Sequence, residues 1–322
     1  MDMKPMKNTT AFSHRPDTSP RRVLRILLLA AADLVLAAGI AFFVYVSIYY
    51  HPEEAATEAL VSDAAVRVEQ RDDGWFFDGP SEEKLLVFYP GAKVGETAYA
   101  PFLRRLAVQG MDAYLVKMPF HLAVFGAGRA AAVLEDPAFA GYTQRYVGGH
   151  SLGGAMAASF AASYVSDRGG ESSRLNETGT SGGVKVPADP LKPYGQNKPN
   201  GHKKQVEPEN IYTPNLDGVI LFAAYPTKKL DDSLQELSIY GSEDRILNRQ
   251  ALRQGREYAP ADFTEYVIRG GNHAGFGNYG FQKGDGEATI SAEDQQEEAV
   301  RAVMNFVSAR EKACRESGKA SF

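Results

Sequence analysis

The chain has little of what several chemistries require. Cys314 is its only cysteine, which excludes an intramolecular disulfide framework and a cysteine-based zinc cluster. Basic residues are not in excess: the net charge is −5, so no nucleic-acid partner is expected. Core-forming residues are not scarce. Hydrophobic residues make up 44% and charged residues 23%, which rules out global disorder and collagen-like repeats. No internal repeat is evident. Long apolar runs are limited to one, at residues 26–50. Setting aside that run, the polar residues 1–25 and a Gly-, Pro-, Ser- and Asn-rich stretch at 166–210 leaves about 230 residues. That is enough for one large α/β domain or two small ones.

The apolar run, Ile26 to Tyr50, reads ILLLAAADLVLAAGIAFFVYVSIYY. A helix of that length spans roughly 37 Å and crosses a bilayer core of about 30 Å with some tilt. Asp33 costs on the order of 3 kcal/mol on insertion scales. The 13 Leu, Ile, Val and Phe residues return about 0.3–0.6 kcal/mol each, so insertion wins. Asp33 reads as a tolerated polar residue, with a functional intramembrane acid as the alternative. Residues 1–25 carry Lys4, Lys7, Arg15, Arg21, Arg22 and Arg25 against Asp2 and Asp17, whereas the far side begins His51-Pro52-Glu53-Glu54. Positive flanks stay in the cytoplasm, so the rest of the chain is expected outside it. Tyr45, Tyr49 and Tyr50 fall where an interfacial aromatic belt sits. The run exceeds the apolar core of about 7–15 residues of a cleaved signal peptide, and no small-x-small site follows it. The spacing therefore predicts an uncleaved single-pass anchor over 26–50, with the lipid bilayer as partner.

Residues 51–64 are acidic and Ala-rich and read as a linker. Val66 to Gln70 alternates, Asp72-Asp73-Gly74 turns and Trp75-Phe76-Phe77 resumes, the pattern of a β-hairpin. Leu85 to Tyr89 is a continuous apolar run ending at Pro90-Gly91, as in a buried parallel strand. Strands at 113–116, 145–147, 219–223, 237–240 and 266–268 then alternate with helices at 97–108, 127–134, 152–164 and 293–312. This alternation predicts an α/β class with a mostly parallel sheet. Segment 166–210 holds seven Gly, five Pro and one aromatic, Tyr194. It cannot bury enough apolar surface to order itself, and reads as a surface insertion, with a lid as the alternative. The domain is expected over 65–314, followed by a tail at 315–322.

Gly149-His150-Ser151-Leu152-Gly153 matches G-x-S-x-G. The pattern alone is weak: with 31 Gly and 19 Ser, about 0.2 chance matches arise per chain, so context decides. Gly179-Thr180-Ser181-Gly182-Gly183 matches as well, but without a strand before it or a helix after it. Around Ser151 the context is right, with a strand ahead and an Ala-rich helix behind. Small residues on both sides let the sharp turn fit, and the turn lifts the Ser151 hydroxyl above the sheet edge. It also sets the Leu152 N–H at a helix N-terminus, facing a developing oxyanion.

A serine nucleophile needs a base held by an acid. His14 and His51 flank the anchor, His202 lies in the insertion, His121 precedes the elbow, and His150 is expected to point away from its neighbouring Ser151. His273 remains, in Gly270-Gly271-Asn272-His273-Ala274-Gly275 after a late strand. The strand 237–240 runs into Gly241-Ser242-Glu243-Asp244, which makes Asp244 the acid and Glu243 its rival. Asp231 and Asp232 precede their strand, and Asp285 follows His273. The order Ser151, Asp244, His273 is the one α/β-hydrolases use. The second oxyanion donor is expected after the first central strand, at the Ala92 N–H, with Lys93 as the alternative.

With these residues placed, the chain resembles the α/β-hydrolase superfamily over roughly 65–314. More narrowly it is similar to the bacterial membrane-anchored or exported α/β-hydrolase family 5 type. The carrying residues are Val87 to Val94, Lys117-Met118-Pro119-Phe120, Gly149 to Gly154, and Gly270 to Gly280, continued by Gln282, Gly284, Asp285 and Gly286. The resemblance implies an α/β-hydrolase fold and Ser151, Asp244 and His273 as a triad; insertion 166–210 departs from a compact member. A serine hydrolase acting on a small-molecule ester or other acyl substrate, most simply a carboxylesterase without metal or cofactor, is the expected function. Acyltransfer or peptide hydrolysis on the same triad is an alternative, and a catalytically silent scaffold with this fold is the rival from another class.

Overall fold

A computed structural model describes residues 20–178 and 215–316. The chain divides into two units, Met1–Ile48 and Tyr49–Phe322. The first contains helix α1 (Pro20–Ser47). Pro20 suits a helix start, where its missing N–H has no partner to lose. The helix begins ahead of the apolar run because Arg21 to Arg25 include good helix formers and no breaker. It ends ahead of Tyr50, with the Ser47 hydroxyl donating back to the Phe43 carbonyl at 2.8 Å. Residues Val23–Ser47 have the length and composition to cross a membrane; a signal sequence at a chain's start passes the same test.

The second unit opens with α2 (Glu54–Glu58) and the strands β1 (Arg67–Arg71) and β2 (Gly74–Asp78). It continues through β3 (Lys84–Tyr89), α3 (Ala100–Val108), β4 (Asp112–Val116), α4 (Ala130–Leu134), β5 (Gln144–His150) and α5 (Leu152–Thr178). After the undescribed stretch come β6 (Gly218–Phe222), β7 (Gln235–Gly241), α6 (Arg249–Gly255), β8 (Asp262–Ile268) and α7 (Ala292–Glu316). The eight strands form one sheet in the order β1-β2-β4-β3-β5-β6-β7-β8. The β1–β2 hairpin is antiparallel and β2 joins β4 antiparallel, while β4, β3, β5, β6, β7 and β8 run parallel.

Successive side chains of a strand face opposite sides of the sheet, and here both sides are covered. Leu86 and Phe88 join a core built with α3 and α7, whereas Leu85, Val87 and Tyr89 join one built with α4 and α5. That double burial is why β3 reads as an unbroken apolar run rather than an alternating one.

Four expectations change. The linker 51–64 is not free of the domain: Ala56 is fully buried, and the Glu53 N–H donates to the Asn278 carbonyl at 2.8 Å. The small, apolar Ala56 and Ala59, one helical turn apart, give that stretch a face to bury. Helix α5 continues to Thr178, so residues 166–178 are helical rather than loop. Adding a residue to a helix already nucleated and packed is far easier than starting one, which lets poor helix formers join. The rest of the expected insertion, with the second Gly-x-Ser-x-Gly match, lies outside the described residues. Finally, α4 starts only at Ala130, after Gly126 and Gly128, and α7 runs through Cys314 rather than ending before it.

Candidate active site

Because β3, β5, β7 and β8 are parallel, the loops that follow them meet at one edge of the sheet. Ser151 sits in the turn between β5 and α5 with φ +54°. Such a left-handed backbone is strained for a residue with a side chain. The surroundings hold it there: the Ser151 N–H donates to the Phe222 carbonyl at 2.9 Å, and the Ser151 carbonyl accepts from Ala155 at 3.1 Å. A Cβ added at Gly149 or Gly153 would run into the Tyr89 carbonyl. The glycines thus let β3, the elbow and α5 approach more closely than side chains allow. Leu152 is the first residue of α5, so its N–H is among those a helix start leaves unpaired.

Asp244 and His273 come together. His273 Nδ1 lies 2.9 Å from Asp244 Oδ2, and both side chains are buried. The other carboxylate oxygen, Oδ1, accepts from the N–H groups of Ile246 and Leu247 at 2.9 and 2.8 Å. A carboxylate so held accepts the Nδ1–H, which leaves the lone pair on Nε2. That nitrogen is buried and has no hydrogen-bond partner among the described residues. Glu243, the rival, instead accepts from the Ser242 hydroxyl at 2.8 Å and is not bonded to His273.

The acid and base loops are tied to each other. The Glu243 N–H donates to the Gly271 carbonyl at 2.8 Å, and the Ser242 hydroxyl oxygen accepts from the Gly270 N–H at 2.9 Å. Asp285 spans both loops: it accepts from the Arg245 and Ala274 N–H groups at 3.3 and 2.9 Å. Fully buried Gln295 grips the backbone of Asn272, accepting at 2.9 Å and donating at 2.8 Å.

The loop after β3 leaves one candidate donor. The Gly91 N–H donates to the Tyr99 hydroxyl at 3.1 Å, and the Lys93 N–H donates to the His121 carbonyl at 2.8 Å. Lys93 as the alternative oxyanion donor is therefore set aside, because its N–H is already spent. The N–H of Ala92 makes no hydrogen bond among the described residues.

Sequence reasoning discounted His150 and missed Tyr99. The His150 ring packs against His273, centroids 4.4 Å apart, so it lies beside the base. Its Nδ1 is 2.8 Å from the Tyr99 hydroxyl. That hydroxyl already accepts from Gly91, so it donates to Nδ1 and places the ring proton on Nε2. Burial, and then the neighbouring His273, hold His150 well below the usual imidazole range, so it is a neutral ring. No local sequence signal marks Tyr99, which lies 51 residues from His150 along the chain. Tyr99→Phe is expected to cost about 1–3 kcal/mol of stability, since it orphans a buried N–H and a buried ring nitrogen. Urea denaturation measures this as a lower midpoint with unchanged slope; an unmoved midpoint would refute it.

A histidine oriented by a carboxylate, with its second nitrogen unpartnered, is equipped to move a proton. Among the described residues no three His, Cys, Asp or Glu side chains cluster as metal ligands.

No curated protein matches this chain. Solved structures with similar outlines include a CIB-like hydrolase from Thermoplasma acidophilum, at 13% identity and TM-score 0.45, covering 76% of this chain and 98% of that one. Esterase 2 of Thermogutta terrifontis is similar at 12% identity and TM-score 0.46, with 77% and 96% covered. Carboxyl esterase 2 of Tuber melanosporum is similar at 9% identity and TM-score 0.47, with 79% and 90% covered. The model of the alpha/beta hydrolase family matches residues 85–169 and 208–297, more than half of the chain and the stretch that carries β3, the Ser151 turn, Asp244 and His273. With the mostly parallel sheet and its helices on both faces, that match makes this chain a member of the alpha/beta hydrolase family.

Proposed function

We propose that the protein is a membrane-anchored serine hydrolase of the carboxylesterase type, with Ser151 as nucleophile, His273 as base and Asp244 as the acid that orients it. The observation that carries the reading is the buried 2.9 Å Asp244–His273 bond with Nε2 left unpartnered, on the same sheet edge as a serine in left-handed backbone. Ser151 Oγ attacks the ester carbonyl as its proton passes to His273 Nε2. The N–H groups of Leu152 and Ala92 stabilise the oxyanion. Collapse of the tetrahedral intermediate breaks the bond to the alcohol, which leaves with the proton from the imidazolium. Water then attacks the acyl-enzyme, giving its proton to His273, which returns it to Ser151 Oγ as the carboxylic acid departs. The neutral His150 ring beside His273 adds no like charge when the imidazolium forms.

Anchoring through α1 rests on its length and composition and on the basic flank of residues 1–25, which fits a cytoplasmic N-terminus and an extracytoplasmic catalytic domain. Labelling of the full chain with a fluorophosphonate probe tests the chemistry. Wild type is expected to label and Ser151→Ala, correctly folded, to stay unlabelled. Equal labelling of the two proteins would remove Ser151 from the mechanism.

A further inference from the structure

Resting on that reading, we propose that the substrate is an acyl ester of the bilayer itself, a membrane lipid taken at the membrane surface rather than a soluble ester. The chain that leaves α1 is fastened at once to the two loops that carry the chemistry. Helix α1 ends at Ser47, and Tyr50 already bridges to Val94 in the loop that presents Ala92. The Tyr50 N–H donates to the Lys93 carbonyl at 2.7 Å, and its carbonyl accepts from Gly95 at 2.9 Å. The Tyr50 hydroxyl accepts from the Lys283 N–H at 3.2 Å, in the loop that follows His273, and its ring packs on Tyr279 at 5.6 Å. Tyr49 stacks on His121 with ring centroids 3.9 Å apart. Three residues of chain reach at most about 10 Å. The chain between an anchor that ends at Ser47 and the contacts of Tyr50 with these loops is therefore short.

The same edge of the sheet exposes apolar side chains that a soluble substrate does not call for. Phe120, Val124 and Phe125, after β4, are 50%, 49% and 52% exposed, and Phe281, after His273, is 73% exposed. Phe120 and Phe125 pack edge to face at 5.6 Å, and α5, headed by the Ser151 turn, packs against Ala123–Phe125. Phe120 and His121 hold left-handed backbone, φ 57° and 55°, which bulky residues rarely adopt. Strain of that kind marks a segment held for function. Exposed aromatic and aliphatic side chains grouped on one edge are the equipment of a surface that dips into the lipid interface. Ester carbonyls of membrane lipids lie at that depth, so a mouth tethered there meets them without extracting a whole lipid into water.

The test separates tether from chemistry. The full chain is reconstituted into phosphatidylcholine vesicles carrying p-nitrophenyl palmitate, and compared with a variant bearing a Gly/Ser spacer of about 20 residues between Ser47 and Ile48. Such a spacer has a root-mean-square length of roughly 25 Å, which dilutes the site at the surface on the order of 10-fold. Hydrolysis of the vesicle ester is expected to fall by about that factor, while hydrolysis of soluble p-nitrophenyl acetate stays within about 2-fold. Unchanged palmitate hydrolysis in the spacer variant, or a wild type that cleaves the acetate and ignores the vesicle ester, overturns the lipid assignment alone. Absence of Ser151-dependent cleavage of both esters overturns the hydrolase reading and this inference with it.

Discussion

Replacing Asp244 with Asn is expected to lower kcat by about 10³–10⁴-fold while the protein remains folded. The argument is one of tautomers. Asp244 Oδ1 accepts from two backbone N–H groups, of Ile246 and Leu247, so the amide of Asn turns its oxygen toward them and its NH2 toward His273. Donated a proton there, His273 Nδ1 must act as acceptor, and the ring proton moves to Nε2. An Nε2–H cannot take the proton of Ser151. The loss corresponds to roughly 4–5 kcal/mol of transition-state stabilisation. Steady-state kinetics on a p-nitrophenyl ester measures it, with thermal unfolding as the control for fold. Activity of Asp244→Asn within 10-fold of wild type would show that another group orients His273. Glu243→Gln, at a carboxylate that accepts from the Ser242 hydroxyl and makes no other side-chain hydrogen bond among the described residues, is the matched control, expected to change kcat little.

Glu236→Gln is expected to stabilise the protein by about 3 kcal/mol at pH 7, with no gain below pH 4. Glu236 lies on β7 with its side chain buried, and Oε2 lacks a hydrogen-bond partner among the described residues. Burial pushes its carboxyl from the ordinary 4.5 up to about 8. In the unfolded chain the group ionises near its ordinary value, whereas the folded chain keeps it protonated until about pH 8. Between those values the folded state binds the extra proton, so stability falls as pH rises through the window and levels off above it. Gln has nearly the same shape and no charge to lose, so the difference between the two proteins grows from about pH 4.5 to 8 and then stays constant. Denaturant titrations at pH 4, 7 and 9 read it. A pH-independent difference would mean that Glu236 ionises alike in both states.

How much of this was legible beforehand differs from element to element. β3 announced itself because burial on both faces leaves no polar position in Leu85 to Tyr89. The Ser151 turn was legible because strand, glycines and helix are adjacent in sequence, so a local pattern carries the whole motif. Asp244 and Glu243 were harder to separate. Both follow β7, and only the course of the loop decides which carboxylate turns inward; it is Asp244 that meets His273. The choice between Ala92 and Lys93 turned on a distant partner, the His121 carbonyl that takes the Lys93 N–H. Tyr99, His150 as a neighbour of His273, and the grip of Gln295 on Asn272 were invisible for the same reason: each is a contact between residues 20 or more apart.

By itself, then, the amino-acid order determined the class of the fold, the apolar length of α1 and the glycine-flanked serine, because each depends on periodicity, composition or close spacing. Tertiary structure alone decided which carboxylate faces His273, which N–H groups remain unspent, and that Tyr50 pairs with the loop of Lys93 and Val94. Those are matters of which groups meet once distant segments are packed, and a backbone N–H has no preferred partner until the fold supplies one.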